Sequence, residues 1–274
     1  MTTCTLHCST IFKSNERLES MKNYRYLINW IGGKRLLRKT IAEIIPENIN
    51  GYIEPFGGGA WVLFYKEKWA ELEVYNDLDG RLVNLFNVVK YHPCEIARQM
   101  CFMLASREQF KQQLKTEAIT DIQKAARFLY LITRSFGGKG KIFGTSKTSG
   151  IKSAGGIIER VTEISKRLDK VLIENKDALE LINQYDTADN FFYCDPPYSK
   201  GEGYEVCSTK EFEHKRLADT LKNIKGRFLL SYDDSEYIRE LYKEFNIIEV
   251  TRQKGINNID VKDKLYKELL IKNF

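Results

Sequence analysis

Residues 191–200 read "FFYCDPPYSK", an aromatic run of strand character that ends in an acid, two prolines and a tyrosine. An aspartate at a strand end, followed by proline, sets a side-chain acceptor and a backbone carbonyl on one rigid stub, because proline fixes φ and has no N–H of its own. Asp195 and the Pro196 carbonyl together can accept both hydrogens of one amino group. Tyr198, two residues past the first proline, can lay its ring on a flat aromatic group beside that amine. With Pro197 these residues make a candidate catalytic set for chemistry at an exocyclic amine on a planar base. A plain Pro-Pro turn capped by aspartate is the alternative, and the aromatic residues on both sides of the motif favour the amine grip.

Two further stretches carry residue types suited to holding a ligand. "EPFGGGA" (residues 54–60) follows a short apolar run, and its adjacent glycines, Gly57, Gly58 and Gly59, let the backbone pass close to a ligand and turn into a helix whose amino end faces it. Glycine turns between strand and helix are also common without any ligand. "NDLD" follows the next apolar run, and Asp77 lies about twenty residues beyond the glycines, where nucleoside-binding folds place an acid for the ribose hydroxyls. Capping of the following helix by Asp77 or Asp79 is the competing reading.

These positions need a framework that brings several strand ends together. "LLRKTIAEIIP" has apolar residues at helical spacing and predicts a helix over residues 34–45, stopped by Pro46. "GYIEPFGGGAWVLFYKEKWA" predicts a strand, a glycine turn and a helix. "ELEVYNDLDGRLVNLFNVVKY" predicts a strand at 72–75, an acidic turn and a helix from about residue 80. Two such units in succession argue for a parallel sheet in an α/β fold, with ligands at the carboxyl ends of its strands. Residues 92–135 then turn helical, and a glycine-, serine- and lysine-rich block, "GGKGKIFGTSKTSGIKSAGG", follows. This block reads as part of an insertion. Beyond it the alternation resumes, with strands expected at "LIEN", "NFFYC", "RFLLSY", "FNIIEV" and "ELLIKNF".

The chain has 274 residues and is 43% hydrophobic, enough for a sizeable core. Its 43 Lys and Arg exceed its 37 Asp and Glu, giving a net charge of +6, and the excess is concentrated. Between Ile122 and Ile158 stand Lys124, Arg127, Arg134, Lys139, Lys141, Lys147 and Lys152, with no acid. A solvated face normally mixes both signs, so this run favours phosphate contact over an ordinary basic surface. Arg134, Lys139 and Lys141 are the first candidates, at an expected helix-to-hairpin transition, and Lys147 and Lys152 follow. The six cysteines lack a CxxC pair, which indicates neither a disulfide framework nor a zinc ribbon and suggests reduced thiols. Residues 1–20 are polar and unpatterned, and a disordered leader is a better reading than a metal site at Cys4, His7 and Cys8. With no apolar run near membrane-spanning length and no secretory signal pattern, a cytoplasmic protein is expected.

With "NWIGGKRLL" ahead of "EPFGGGA" and "DPPY" after both, the chain resembles the Dam-like class of adenine-N6-specific DNA methyltransferases. Further matches are "SFGGKGKIFG", "EFEHKRLADTL", "LLSYDDSEYIRELY" and "KELLIKNF", which together span nearly everything from Trp30 to Phe274 in the order of that class. Ala60 departs from members that carry another glycine there, which should tighten the loop slightly. The resemblance implies a Rossmann-like, S-adenosylmethionine-dependent catalytic domain formed by residues 21–90 and 157–274. A mainly helical target-recognition domain, residues 91–156, is inserted between them.

The resemblance also implies roles. Trp30, Gly32, Gly33 and Lys34 are similar to cofactor-contacting positions. Glu54, Pro55, Phe56, Gly57, Gly58 and Gly59 would cradle the methionine moiety and Asp77 the ribose, with Asp195 adjoining the cofactor. Asp177 would either meet the cofactor adenine or cap the helix after it. Asp195 and the Pro196 carbonyl would localise the lone pair of an adenine N6 in double-stranded DNA, and Tyr198 would stack on the flipped base. Transfer is direct and in line, and no metal is implied because the sulfonium already activates the methyl group. A cognate restriction endonuclease is a possible partner. Cytosine-N4 methylation uses the same amine chemistry and stays open at this stage, as does a catalytically inactive DNA-binding relative; methylation of RNA or of a glutamine side chain fits the motif and the insertion less well.

Overall fold

The computed structural model describes residues 26–145, 155–198, 211–253 and 265–274. Its strands are β1 (Gly51–Glu54), β2 (Leu72–Asn76), β3 (Val171–Glu174), β4 (Asn190–Cys194), β5 (Arg227–Asp233), β6 (Asn246–Gln253) and β7 (Leu265–Lys272). They form a seven-stranded sheet in the order β3-β2-β1-β4-β5-β7-β6. β1 runs parallel to β2 and to β4, β4 runs parallel to β5, and β7 is antiparallel to β5 and β6. The order reverses between β1 and β4, and open α/β sheets place ligands at such a switch point. The glycine loop leaves β1 and the DPPY segment leaves β4, so the two motifs begin at adjacent strand ends. This is the α/β sheet that the alternation of elements predicts, in the Rossmann-like form that the resemblance implies.

The helices are α1 (Arg38–Ile44), α2 (Gly80–Tyr91), α3 (Pro93–Phe102), α4 (Arg107–Lys115), α5 (Asp121–Arg134), α6 (Gly155–Arg167), α7 (Ala178–Tyr185), α8 (Glu211–Lys222) and α9 (Glu236–Leu241). Backbone packing divides the chain into two units. The sheet unit comprises Lys34–Gly58, Lys68–Asp79 and Leu172–Phe274, with α1 and α7 to α9. The helical unit comprises residues 26–33, Gly59–Glu67 and Gly80–Val171, with α2 to α6.

In the sheet unit, alternate strand residues share one core. Ile53, Val74, Phe192, Phe228, Leu230 and Leu269 pack with Leu181 and Ile182 of α7, Leu217 and Leu221 of α8, and Ile238 of α9. Each such side chain contributes roughly 1.5–3 kcal/mol by leaving water. All five residues of β4 are buried, which explains its unbroken apolar run. In the helical unit, α2 and α3 each pack on α5 and α6, and α4 packs on α5. Thr120 and Gln123 form a capping box that fixes the start of α5.

Three expectations are corrected. The helix expected after the glycine loop is a single 3₁₀ turn, Leu63–Tyr65. Residues 60–64 are all buried and thus lack the polar face of a surface helix, and Val62, Phe64 and Tyr65 have branched or aromatic side chains that disfavour one. The helix expected over 34–45 begins only at Arg38, because residues 34–37 form the preceding turn. Cys101 and Cys194 are free thiols, but Cys94 is disulfide-bonded, so the expectation of reduced thiols fails there. No helix among the described residues is long and apolar enough to cross a membrane.

Candidate active site

Asp195 follows the last residue of β4, and the sheet unit surrounds it with specific partners. Lys34 Nζ lies 2.6 Å from Asp195 Oδ1. Ser231 of β5 donates to that same oxygen at 2.8 Å. Asp195 Oδ2 and the Pro196 carbonyl accept no hydrogen bond from the described residues. One carboxylate oxygen is therefore anchored, while the other and the neighbouring carbonyl remain as acceptors, which is the pair an amino group needs. Burial pushes the Asp195 carboxyl up from its usual range, Lys34 and Ser231 draw it back down, and Glu268 pushes it up again, with a net upward shift.

Tyr198 is fixed by its surroundings. Its hydroxyl donates to Glu268 Oε2 of β7 at 3.2 Å, and Lys34 Nζ sits 4.8 Å from its ring centre. The Tyr232 ring lies 5.8 Å away, and its own hydroxyl pairs with His214 Nδ1 at 2.5 Å. Burial together with Asp195 and Glu268 pushes the Tyr198 hydroxyl well above its ordinary value, so it is a neutral donor.

At the exits of β1 and β2, polar contacts tie three strand ends together. Glu54 is buried and accepts from Tyr52 at 2.5 Å. The Asn76 side-chain amide donates to the carbonyls of Pro55 and Lys176, and its oxygen accepts from Lys176 N. Gly57 N donates to Asn76 O at 2.7 Å, and the chain there passes so close to β2 that a Cβ on Gly57 would lie 2.2 Å from Tyr75 Cε2. Asp77 accepts from Gly58 N and Asp79 N, each at 2.8 Å. Asp77 thus braces the glycine loop and also caps its own turn. Phe56 joins the edge of the apolar core. Asp177 caps α7, with Oδ1 accepting from Leu179 N and Glu180 N, which matches the capping alternative for this residue.

In the helical unit, Gly33 N closes a turn on Trp30 O at 3.1 Å, with Gly32 at φ 76°. The Trp30 ring packs on Phe128 of α5. Trp61, stacked on Tyr26, lies against Gly33 and Gly59. Ala60 has φ 53°, a left-handed conformation that a glycine would adopt with less strain. Arg134, a candidate for DNA contact, is only 7% exposed at the end of α5. After it, Ser135 and Phe143 bridge in antiparallel fashion around a turn containing left-handed Gly137, Gly138 and Gly140. Lys139 and Lys141 are exposed on this turn, with Phe136 and Ile142 exposed beside them. Lys147 and Lys152 lie outside the described residues.

Ser231, Glu268 and Asn76 were given no role from sequence. Ser231 and Glu268 stand in quoted stretches, "LLSYDDSEYIRELY" and "KELLIKNF", yet nothing local in those stretches points toward Asp195 or Tyr198.

Among proteins of known name, a type II methyltransferase, M.CviBI, from Paramecium bursaria Chlorella virus NC1A is 29% identical over 79% of this chain and 85% of its own length. Another, M1.LlaDCHI of Lactococcus lactis subsp. cremoris, is 29% identical over 85% of this chain and 90% of its own. A DNA adenine methylase of Haemophilus influenzae is 24% identical over 93% and 96%. The family model of D12 class N6 adenine-specific DNA methyltransferases matches residues 30–256, a span that includes the WIGGK segment, the glycine loop, Asp77, Asp195 to Tyr198 and Ser231. The chain belongs to that family and is an adenine-specific DNA methyltransferase.

Proposed function

We propose that this enzyme moves a methyl group from S-adenosylmethionine to N6 of an adenine swung out of double-stranded DNA, with Asp195, Pro196, Pro197 and Tyr198 holding the base. The observation that carries the assignment is the state of Asp195. Its Oδ1 is held by Lys34 and Ser231, whereas Oδ2 and the adjacent Pro196 carbonyl accept nothing from the described residues. Two acceptors on one rigid stub suit the two hydrogens of an exocyclic amine. Accepting both stabilises the positive charge that builds on nitrogen during attack. Tyr198, held by Glu268, supplies a face for the base, and Pro197 keeps the segment between them stiff.

The residues at the strand ends fit the donor. Glu54, Asp77, Asp195 and Glu268 make this end of the sheet acid-rich, which suits a cationic sulfonium, and the loop from Glu54 to Gly58 passes beside it, braced by the bonds of Gly57 N to Asn76 and of Gly58 N to Asp77. When bound, S-adenosylmethionine supplies a methyl group already activated for in-line attack. The exposed Lys139 and Lys141 are proposed to contact DNA phosphates, with a cognate endonuclease as a possible partner of the modification activity.

The test is incubation of the purified protein with labelled donor and plasmid DNA, followed by nucleoside analysis for N6-methyladenine. Asp195→Ala is expected to abolish transfer and leave DNA retention on a filter largely intact. Loss of both together would make Asp195 a structural residue.

A further inference from the structure

We propose that Ser231 is a positioning residue for methyl transfer: its hydroxyl, together with Lys34, anchors Oδ1 of Asp195 and so leaves Oδ2 to accept from the target amine. The proposal rests on the reading of Asp195 as the group that grips that amine.

Ser231 is fully buried on β5, and β5 pairs in parallel with β4, which ends one residue before Asp195. Its hydroxyl reaches three oxygens of β4 and its exit. It donates to Asp195 Oδ1 at 2.8 Å, lies 3.2 Å from Tyr193 Oη and 3.4 Å from the Cys194 carbonyl. The carboxylate can only accept, so the Ser231 proton points to it, and the Tyr193 hydroxyl then donates to Ser231. The result is a buried relay, Tyr193 to Ser231 to Asp195, in which each hydroxyl directs its proton toward the carboxylate. A carboxylate held by Lys34 alone would keep a single tether, about which its plane can turn. A second donor on the same oxygen from a different element fixes that plane, and Oδ2 with it.

The groups facing Asp195 are Lys34 ahead of α1, Tyr193 and Cys194 on β4, Tyr198 beyond it, Ser231 and Tyr232 on β5, and Glu268 on β7. Of these, Ser231 and Lys34 favour the ionised form, and Glu268 opposes it. Removing the Ser231 hydroxyl therefore also raises the carboxyl further.

The experiment compares wild type, Ser231→Ala, Ser231→Cys and Asp195→Ala in single-turnover and steady-state assays with S-adenosylmethionine and a methylatable duplex. Thermal unfolding provides the check on folding. Ser231→Ala is expected to lower kcat about 10- to 100-fold, the effect of losing one hydrogen bond to a charged group. DNA KM and donor Kd should stay within about twofold of wild type, and the acid limb of the kcat–pH profile should move to higher pH. Ser231→Cys keeps a donor at the position, weaker and slightly larger, so it should fall between the two, and it carries the test should the alanine variant fail to fold. A folded variant with wild-type kcat and an unmoved acid limb overturns the proposal, as does a loss of binding that accounts for the loss of rate. Full activity in Asp195→Ala would instead overturn the reading of Asp195 on which the proposal depends.

Discussion

Asp77 carries backbone donors on both oxygens, yet burial still raises its pKa to about 6. The unfolded value is 3.8, so between roughly pH 4 and pH 6 the folded chain holds a proton that the unfolded chain has released. This contribution to stability is greatest below the unfolded value and falls as pH rises through that window. Thermal unfolding of wild type is expected to shift upward between pH 7 and pH 5 by an increment that Asp77→Asn lacks; parallel profiles would place the titration elsewhere. The positions of Asp77 and Asp195 were legible in the sequence because each directly follows a strand within one short motif. Ser231 and Glu268 could not be found that way. The bond from Ser231 to Asp195 spans 36 residues and that from Tyr198 to Glu268 spans 70, so both depend on strand order rather than spacing. Arg134, a candidate for DNA contact, is buried at the end of α5, where the following turn comes back and Gly144 N bonds the Arg134 carbonyl, a fold-back that its sequence neighbours do not reveal.

At the scale of elements, β4 was readable as a short apolar run of strand length closed by a proline turn, and all five of its residues are buried. The segment after the glycine loop was not, since a run buried on all sides carries no period to separate a helix from an irregular turn. What the loop requires is close approach to β2. A Cβ on Gly57 would meet Tyr75 Cε2 at 2.2 Å and Asn76 O at 2.9 Å. Tyr75 is fully buried and its hydroxyl is bonded to Gly58 O at 2.8 Å, so the ring cannot swing aside without losing that bond. Gly57→Ala should cost about 1–3 kcal/mol in urea unfolding. Gly156→Ala is the control: among the described residues no neighbouring atom beyond the helix's own backbone lies within 4 Å of its added Cβ in α6, and the helix should gain about 0.5–1 kcal/mol. Equal effects of the two substitutions would mean that the loop gives way around the methyl group.

Taken as a whole, the molecule separates its chemistry by charge. Buried acids gather at the strand ends of the sheet unit, while the acid-free run from Ile122 to Ile158 belongs to the helical unit and supplies Lys139 and Lys141 on an exposed turn. Two further cations of that run make contacts within the helical unit. Arg127 donates to the Gln113 and Leu114 carbonyls, tying α5 to α4, and Lys124 pairs with Asp121. We propose this turn as a place for phosphate contact, on the exposure of its two lysines. Each phosphate neutralised contributes about 0.9 to the slope of log K against log salt. Charge reversal at both lysines, Lys139→Glu with Lys141→Glu, is expected to flatten the slope for duplex binding by about 2, measured between 50 and 200 mM salt. It should raise DNA KM while leaving thermal stability and donor affinity as in wild type, because neither side chain is part of a packed core. An unchanged slope would remove this turn from DNA recognition and move the phosphate contacts to another surface of the chain.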